Sequence, residues 1–165
     1  MNILEFDKDF LGALFEKAVA SPRRRQVCDL RTSPKDAGQR ALCALLPGTV
    51  VPIHRHEETA ETVIALCGKL DVVLYEEVVG CESAAPHGLP QGMDAQDVVR
   101  RIDYREFRRL RLCPAEARYG CQIPEEVWHS VEVIEPCVIF ETKDGAYGEN
   151  GSEPLELHKK KQRME

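Results

Sequence analysis

From residue 41 to residue 142 the chain returns to one device: five to seven apolar or alternating residues, then a turn of Gly, Pro or charged side chains. The runs fall at 41–46, 49–53, 62–67, 70–75, 98–102, 107–112, 127–133 and 138–142. Short runs bounded by turn residues read as strands, and their close spacing reads as an all-β sandwich or barrel. No helical period alternates with them, which argues against the βαβ units of parallel sheets.

One helix precedes the strands. Over residues 7–20, Phe10, Leu11, Leu14, Phe15 and Ala18 recur at helical spacing and form a single apolar stripe. Asp7 and Asp9 are cap candidates that suit the positive end of the helix dipole. Ser21 and Pro22 stop it. Arg23, Arg24 and Arg25 follow at once. Such a run is either a solvated face or a source of one guanidinium turned into a site, where its planar fork matches carboxylate or phosphate. Segment 78–96, with Gly80, Pro86, Gly88, Pro90 and Gly92, reads as a long surface loop that carries a solvated His87. A single domain is expected over residues 1–147. Residues 148–165 form a polar tail, expected to pack poorly and to hold at most a short helix near its end.

Charge narrows the partners. Lys and Arg number 22 against 28 Asp and Glu, a net charge of −6. That balance lacks the basic footprint of a general nucleic-acid binder and gives no attraction to anionic membrane. No run approaches the ~20 apolar residues of a membrane span. Glu5, Asp7, Lys8 and Asp9 do not make a signal peptide, so a cytoplasmic location is expected. The seven Cys show no CxxC or CxC pair, which points to reduced, mostly buried thiols rather than a disulfide scaffold or zinc ribbon.

The most informative residues are His54, His56 and Glu61. On an extended strand, positions i and i+2 share a face, so two imidazoles at 54 and 56 can chelate one cation. Arg55, between them, is turned away. Four residues later Glu61 heads the next strand-like run, and a turn of that length can bring its carboxylate to the same ion. His129 begins a distant apolar run, just after Pro124, Glu125 and Glu126 mark a turn. A closing barrel can lay that strand beside the first. Imidazoles with one carboxylate leave coordination positions open for chemistry. His158, in the basic tail, reads as exposed and unrelated.

These residues fill the first motif of the cupin superfamily, G(X)5HXH(X)4E(X)6G, with Gly48, His54, His56, Glu61 and Gly68. The second motif, G(X)5PXG(X)2H(X)3N, is met at Pro124 and His129. Glu126 stands where it has its turn Gly, Val133 where it has its Asn, and Gly120 lies closer to Pro124 than the motif asks. The wider pattern resembles the WbuC-type cupin metalloproteins. It is carried by residues 21–25, 39–40 and 46–56, then by Tyr119, Gly120, Ile123, Pro124, Trp128, His129 and residues 140–145.

The resemblance implies a double-stranded β-helix, a small jelly-roll-like barrel, with an N-terminal α-helix. It implies one divalent transition metal, Fe, Mn, Ni or Zn, held inside the barrel by His54, His56, Glu61 and His129. It also implies a homodimer, and a genetic setting of lipopolysaccharide O-antigen synthesis. Four protein ligands on an octahedral ion leave two positions for water or a small-molecule ligand. Arg40, on the strand before the metal hairpin, is the expected anion clamp. Arg24 or Arg25 could close the mouth, and Tyr119 and Trp128 could shape the pocket. Glu141 and Lys143 share a strand face and read equally as a surface ion pair, while Cys67 is either barrel lining or an inert buried thiol. The expected function is a metal-dependent enzyme acting on a small oxygen-rich anion, such as a sugar or sugar-nucleotide intermediate. The alternative is a non-catalytic, metal-dependent binding module for a small molecule or carbohydrate.

Overall fold

The computed structural model describes residues 3–81, 100–145 and 153–154. Its helix, α1 (Lys8–Ala20), starts where the sequence sets it: the Asp7 carboxylate accepts from the backbone N–H groups of Asp9 and Phe10, at 3.1 and 2.9 Å. The strands are β1 (Arg25–Asp29), β2 (Gly38–Leu45), β3 (His54–Arg55), β4 (Glu61–Cys81), β5 (Arg100–Leu112), β6 (Gly120–Ile123), β7 (Trp128–Asp144) and β8 (Glu153–Pro154). A one-turn 3-10 helix at Pro114–Glu116 precedes β6.

Every strand pairing is antiparallel, and β4 and β7 carry the architecture. The first part of β4 pairs with β6 on one side and with the last part of β7 on the other, which continues to β2 and β1. The second part of β4 pairs with β5 and with the first part of β7, whose outer neighbour is β3, followed by β8. The two halves face each other. Glu61 and Leu74 stand thirteen residues apart on β4, ~43 Å if straight, and Leu74 is the ladder partner of His129. Yet the Glu61 carboxylate touches the His129 ring at 3.0 Å. The sheet therefore curls over on itself, as a double-stranded β-helix requires.

Gly68 makes the curl sterically possible. It has φ +76°, and a Cβ built there would lie 2.0 Å from the Pro136 carbonyl oxygen and 2.6 Å from Cys137 Cα. Ladder irregularities between Ala65 and Leu70 mark the same crossing. Inside the curl, Cys43, Leu45, Val63, Ala65, Leu70, Val72 and Leu112 pack as the main core. Outside it, Leu14 and Ala18 of α1 cover Leu42, Ala44, Leu46 and Val138, with Phe10, Leu11 and Phe15 at the margin. Residues 42–45 of β2 are thus buried on both faces, the pattern of a continuous apolar run. On the outer face of the second half, buried Asp71 is paired with Arg109 and Arg111 of β5.

The all-β fold with its N-terminal helix is the expected one, but several element boundaries differ. The runs at 62–67 and 70–75 are one bent strand, β4, because Gly68 bends the chain without ending the ladder. Residues 100–102 likewise join 107–112 in β5, and residues 128–133 join 138–142 in β7. The run 49–53 joins no ladder. It crosses between the sheet halves, held by Thr49 to the Arg24 carbonyl and by Ser130 to the Val51 carbonyl, at 2.7 and 2.8 Å. β1, which has no strand-like apolar run, forms because its backbone pairs with β2 along all five residues. Of the expected loop at 78–96, residues 78–81 extend β4 and the remainder, with His87, lies outside the described residues. In the tail, Glu153 and Pro154 pair with Arg55 and His54 rather than packing loosely. The rest of the tail, with His158 and any terminal helix, lies outside the described residues. No described helix is long and apolar enough to cross a membrane.

Candidate metal centre

His54 is the first residue of β3, and its ladder partner on β7 is His129. That pairing brings two imidazoles from residues 75 apart in the chain to a ring-centroid distance of 4.2 Å. His56 follows two residues after His54, on the same side, with its ring 5.3 Å from that of His54 and 5.5 Å from that of His129. Glu61 opens β4 beneath them. Its Oε2 lies 3.0 Å from His129 Nε2 and 3.4 Å from His56 Nε2. One ligand atom from each of the four residues falls within 4.8 Å of all the others.

The backbone orients the rings. His54 Nδ1 lies 2.9 Å from the Pro52 carbonyl and His129 Nδ1 lies 2.8 Å from the Val127 carbonyl, so both rings direct Nε2 inward. Hydrogen bonding of the outer nitrogen to a carbonyl is the usual support for a metal-bound imidazole. The Lys143 ammonium stands 3.1 Å from His56 Nδ1. The turn before β7 adds a further tie, since the Glu126 N–H donates to the His56 carbonyl at 2.7 Å. Glu126 takes φ +62°, so the turn keeps its left-handed shape without the Gly of the second motif.

This donor set fits one divalent transition metal. His56 Nε2 is buried and faces the other three donors, and among the described residues its one polar approach, to Glu61 Oε2 at 3.4 Å, does not make a well-aligned hydrogen bond. A buried polar atom left unpaired costs about 1–3 kcal/mol, and a shared cation removes that cost. Donors bound at ~2.0–2.2 Å to one ion lie within ~4.4 Å of each other, close to the separation seen. Fe, Mn, Ni and Zn all accept imidazole with carboxylate.

Electrostatics agree with that reading. Burial, then the neighbouring His129, lowers His54 to about 4, so its imidazole is neutral and free to ligate. Burial alone would raise the Glu61 carboxyl, but the hydrogen bond with His129 and the nearness of His56 outweigh it and hold the group ionised. Beside it, Glu141 is pushed up by burial and then by the Glu61 charge, toward the neutral acid. Its carboxylate accepts from the buried Cys43 thiol.

The four residues open into a cavity of about 620 Å³ between the sheet halves. Arg25 and Arg40 line it, together with Arg31, Gln39, Glu141 and Lys143. Arg40 is committed to Asp36 at 2.7 Å. Three expected pocket residues lie elsewhere. Arg24 is spent on the turn, its Nε donating to the Pro47 carbonyl at 2.7 Å. Tyr119 is 62% exposed and borders an open groove near Phe107 instead. Trp128 is buried on the opposite side of β7, with its Nε1 donating to Glu77, its ring edge-on to Tyr104, and the Arg55 guanidinium 4.8 Å above it. Alternation along β7 sends residue 128 outward whenever His129 points in. Glu141 and Lys143 do share a face, but it is the cavity face and not the surface. Cys67 packs toward α1, and Cys43 is the thiol that lines the cavity. Burial pushes the Cys43 and Cys137 thiols up, which keeps both protonated and inert, and the described cysteines are unbridged.

Sequence reasoning missed Arg31, Gln39 and the β8 step. Arg55 donates to Glu153 at 3.0 Å, and Pro154 pairs with His54 and borders the cavity. No periodic signal marks a two-residue strand.

A family model described as a domain of unknown function (DUF6016) matches residues 6–84, which include His54, His56 and Glu61. No curated protein sequence matches the chain. Solved structures similar to it include Peruvianin-I, a cysteine peptidase from Thevetia peruviana latex, at 14% identity and a TM-score of 0.47, over 79% of this chain and 66% of that one. KdgF from a Halomonas species gives 14% and 0.45, over 75% and 81%. An oxalate decarboxylase from Lactobacillus farciminis, solved as a formate complex, gives 16% and 0.45, over 79% of this chain and 30% of that one.

Proposed function

We propose that this chain is a cupin whose barrel holds one divalent transition metal and uses it to act on a small, oxygen-rich anion. The observation that carries the reading is the convergence of His54, His56, Glu61 and His129, with the His56 Nε2 lacking a well-aligned hydrogen bond, at the wall of a cavity that also presents arginines. Bound there, the ion supplies Lewis acidity toward a ligand oxygen. The chain's own residues do the rest. Arg25, Arg31 and Arg40 put positive charge at the cavity wall, the last two paired with Asp29 and Asp36. Glu141, buried beside Glu61, and Lys143, whose burial lowers its affinity for a proton, are the groups placed to exchange protons with a ligand in the cavity. The genetic setting implied by the WbuC-type resemblance, surface-polysaccharide synthesis, makes sugar and sugar-nucleotide intermediates the first substrates to try. The same reading keeps a cytoplasmic homodimer as the working form, with exposed Ile3, Leu4 and Phe6 as apolar surface for a second copy to cover.

The test begins with elemental analysis of protein purified without a His tag. Metal-loaded protein then meets a panel of nucleotide sugars and small acids, read by thermal shift and by product formation. Stoichiometric metal, a ligand-induced shift and its loss in His56→Ala are expected. Protein that retains no divalent metal at micromolar concentration overturns the proposal. Saturable binding without turnover assigns a binding module instead.

A further inference from the structure

The cavity has two chemically different ends. Inward positions of β1, β2, β7 and β4 stand in cross-strand rows. The row at the metal end runs Gln39, Lys143, Glu61. The next row holds two carboxyl groups, Asp29 and Glu141, beside Ala41 and Val63, and the row after it is apolar, with Cys43 and Ile139 buried and Val27 half exposed at the edge. The next row begins with Arg25, beside Leu45. Arg25 and the members of the three earlier rows line the same cavity.

Arg25 differs from the other cations of this wall. Arg31 is held by Asp29 at 2.6 Å and Arg40 by Asp36 at 2.7 Å, while Lys143 lies against His56 at 3.1 Å. Arg25 is half-buried, and among the described residues its guanidinium has no carboxylate or carbonyl partner. A guanidinium facing an apolar belt favours an anion that completes its fork of donors. The rows of Gln39 and Leu45 are six residue steps apart on β2, ~20 Å of strand, part of which the arginine side chain spans. A short acid seated on the metal group does not reach it. A polyol lying along the belt leaves its hydroxyls without partners, which costs free energy.

We propose that the ligand is an extended diacid: an oxygen-donor head at the metal group, an apolar body along Val27, Cys43 and Ile139, and a second anionic group on Arg25. This rests on the metal-centre reading above and narrows its ligand class.

Calorimetric titration of Zn(II)-loaded protein tests it. The probes are 2-oxo monoacids of increasing chain length, the 2-oxo diacids that match them, and UDP-glucose as the polyol comparator. Each methylene placed on the belt is expected to tighten binding ~4-fold. The long diacid is expected to bind ~10-fold tighter than its monoacid. Arg25→Ala should erase that tenfold difference and leave the monoacid within twofold, whereas Arg23→Ala, at an exposed neighbour, should change neither. Affinity independent of chain length overturns the proposal, and so does an Arg25→Ala loss equal for monoacid and diacid. In both cases binding of the short oxo acids leaves the metal-centre reading standing. If the loaded protein takes up no acid and no nucleotide sugar, that reading falls too.

Discussion

Adding one methyl group at Gly68 probes the crossing on which the whole barrel closes. Two costs apply. The first is conformational: at φ +76°, a residue with a Cβ loses about 1–2 kcal/mol. The second is steric. The new methyl would sit 2.0 Å from the Pro136 carbonyl oxygen and 2.7 Å from Cys137 Cβ, so the two backbones must separate. Overpacking of this kind costs about 1–3 kcal/mol more. Gly48→Ala is the control. Gly48 has φ +89°, but the added methyl would meet only the Arg24 side chain, at 3.4 Å. The expected losses are therefore about 2–5 kcal/mol for Gly68→Ala and about 1–2 kcal/mol for Gly48→Ala. At ~2–4 °C per kcal/mol the two variants should differ by several degrees in Tm. Urea denaturation of both, in one metal state, reads the difference directly. Equal losses would refute the reasoning, because they would show that no close backbone approach exists at residue 68.

Two further outcomes follow from the turn and from the buried imidazole. Glu126→Gly relieves the left-handed strain at φ +62° and should stabilise the protein by ~0.5–1 kcal/mol in the same urea assay, with metal content unchanged because the N–H to His56 is kept; a net loss contradicts it. In metal-free protein, His54 at about 4 rather than its ordinary 6.5 binds fewer protons folded than unfolded. Stability is then full above pH 6.5 and falls as pH drops through 6.5 to 4, by about 3 kcal/mol in total. The difference between wild type and His54→Gln should shrink over that window, and a pH-independent difference rules the mechanism out.

Much of the metal centre was legible because its residues obey short-range geometry. His54 and His56 share a face through the two-residue period of extended chain, and the turn to Glu61 is short. Gly48 and Gly68 sit in the left-handed region, so the first motif's spacing reports backbone shape as well as ligands. His129 was legible only together with that motif, since its place depends on a sheet that curls. The rest of the cavity was not. Arg25 and Arg31 belong to a strand without an apolar pattern, and only pairing with β2 turns them inward. Glu141 looks like any strand carboxylate until Glu61 and Cys43 are brought beside it from other strands. Trp128 misled for the opposite reason: an aromatic next to a ligand suggests a pocket wall, yet adjacent residues of a strand face opposite ways.

The flank of the metal strand also sets an order of events during synthesis. Arg55 and Glu153 are 98 positions apart, and Pro154 is the outer neighbour of His54. The first two imidazoles are made about a hundred residues before the edge that covers them. A translating chain stalled before β8 would present His54 with one side bare. Loading with metal should therefore wait until β8 has been made, and a series of chains cut on either side of residue 154 should show ion retention only in the longer products.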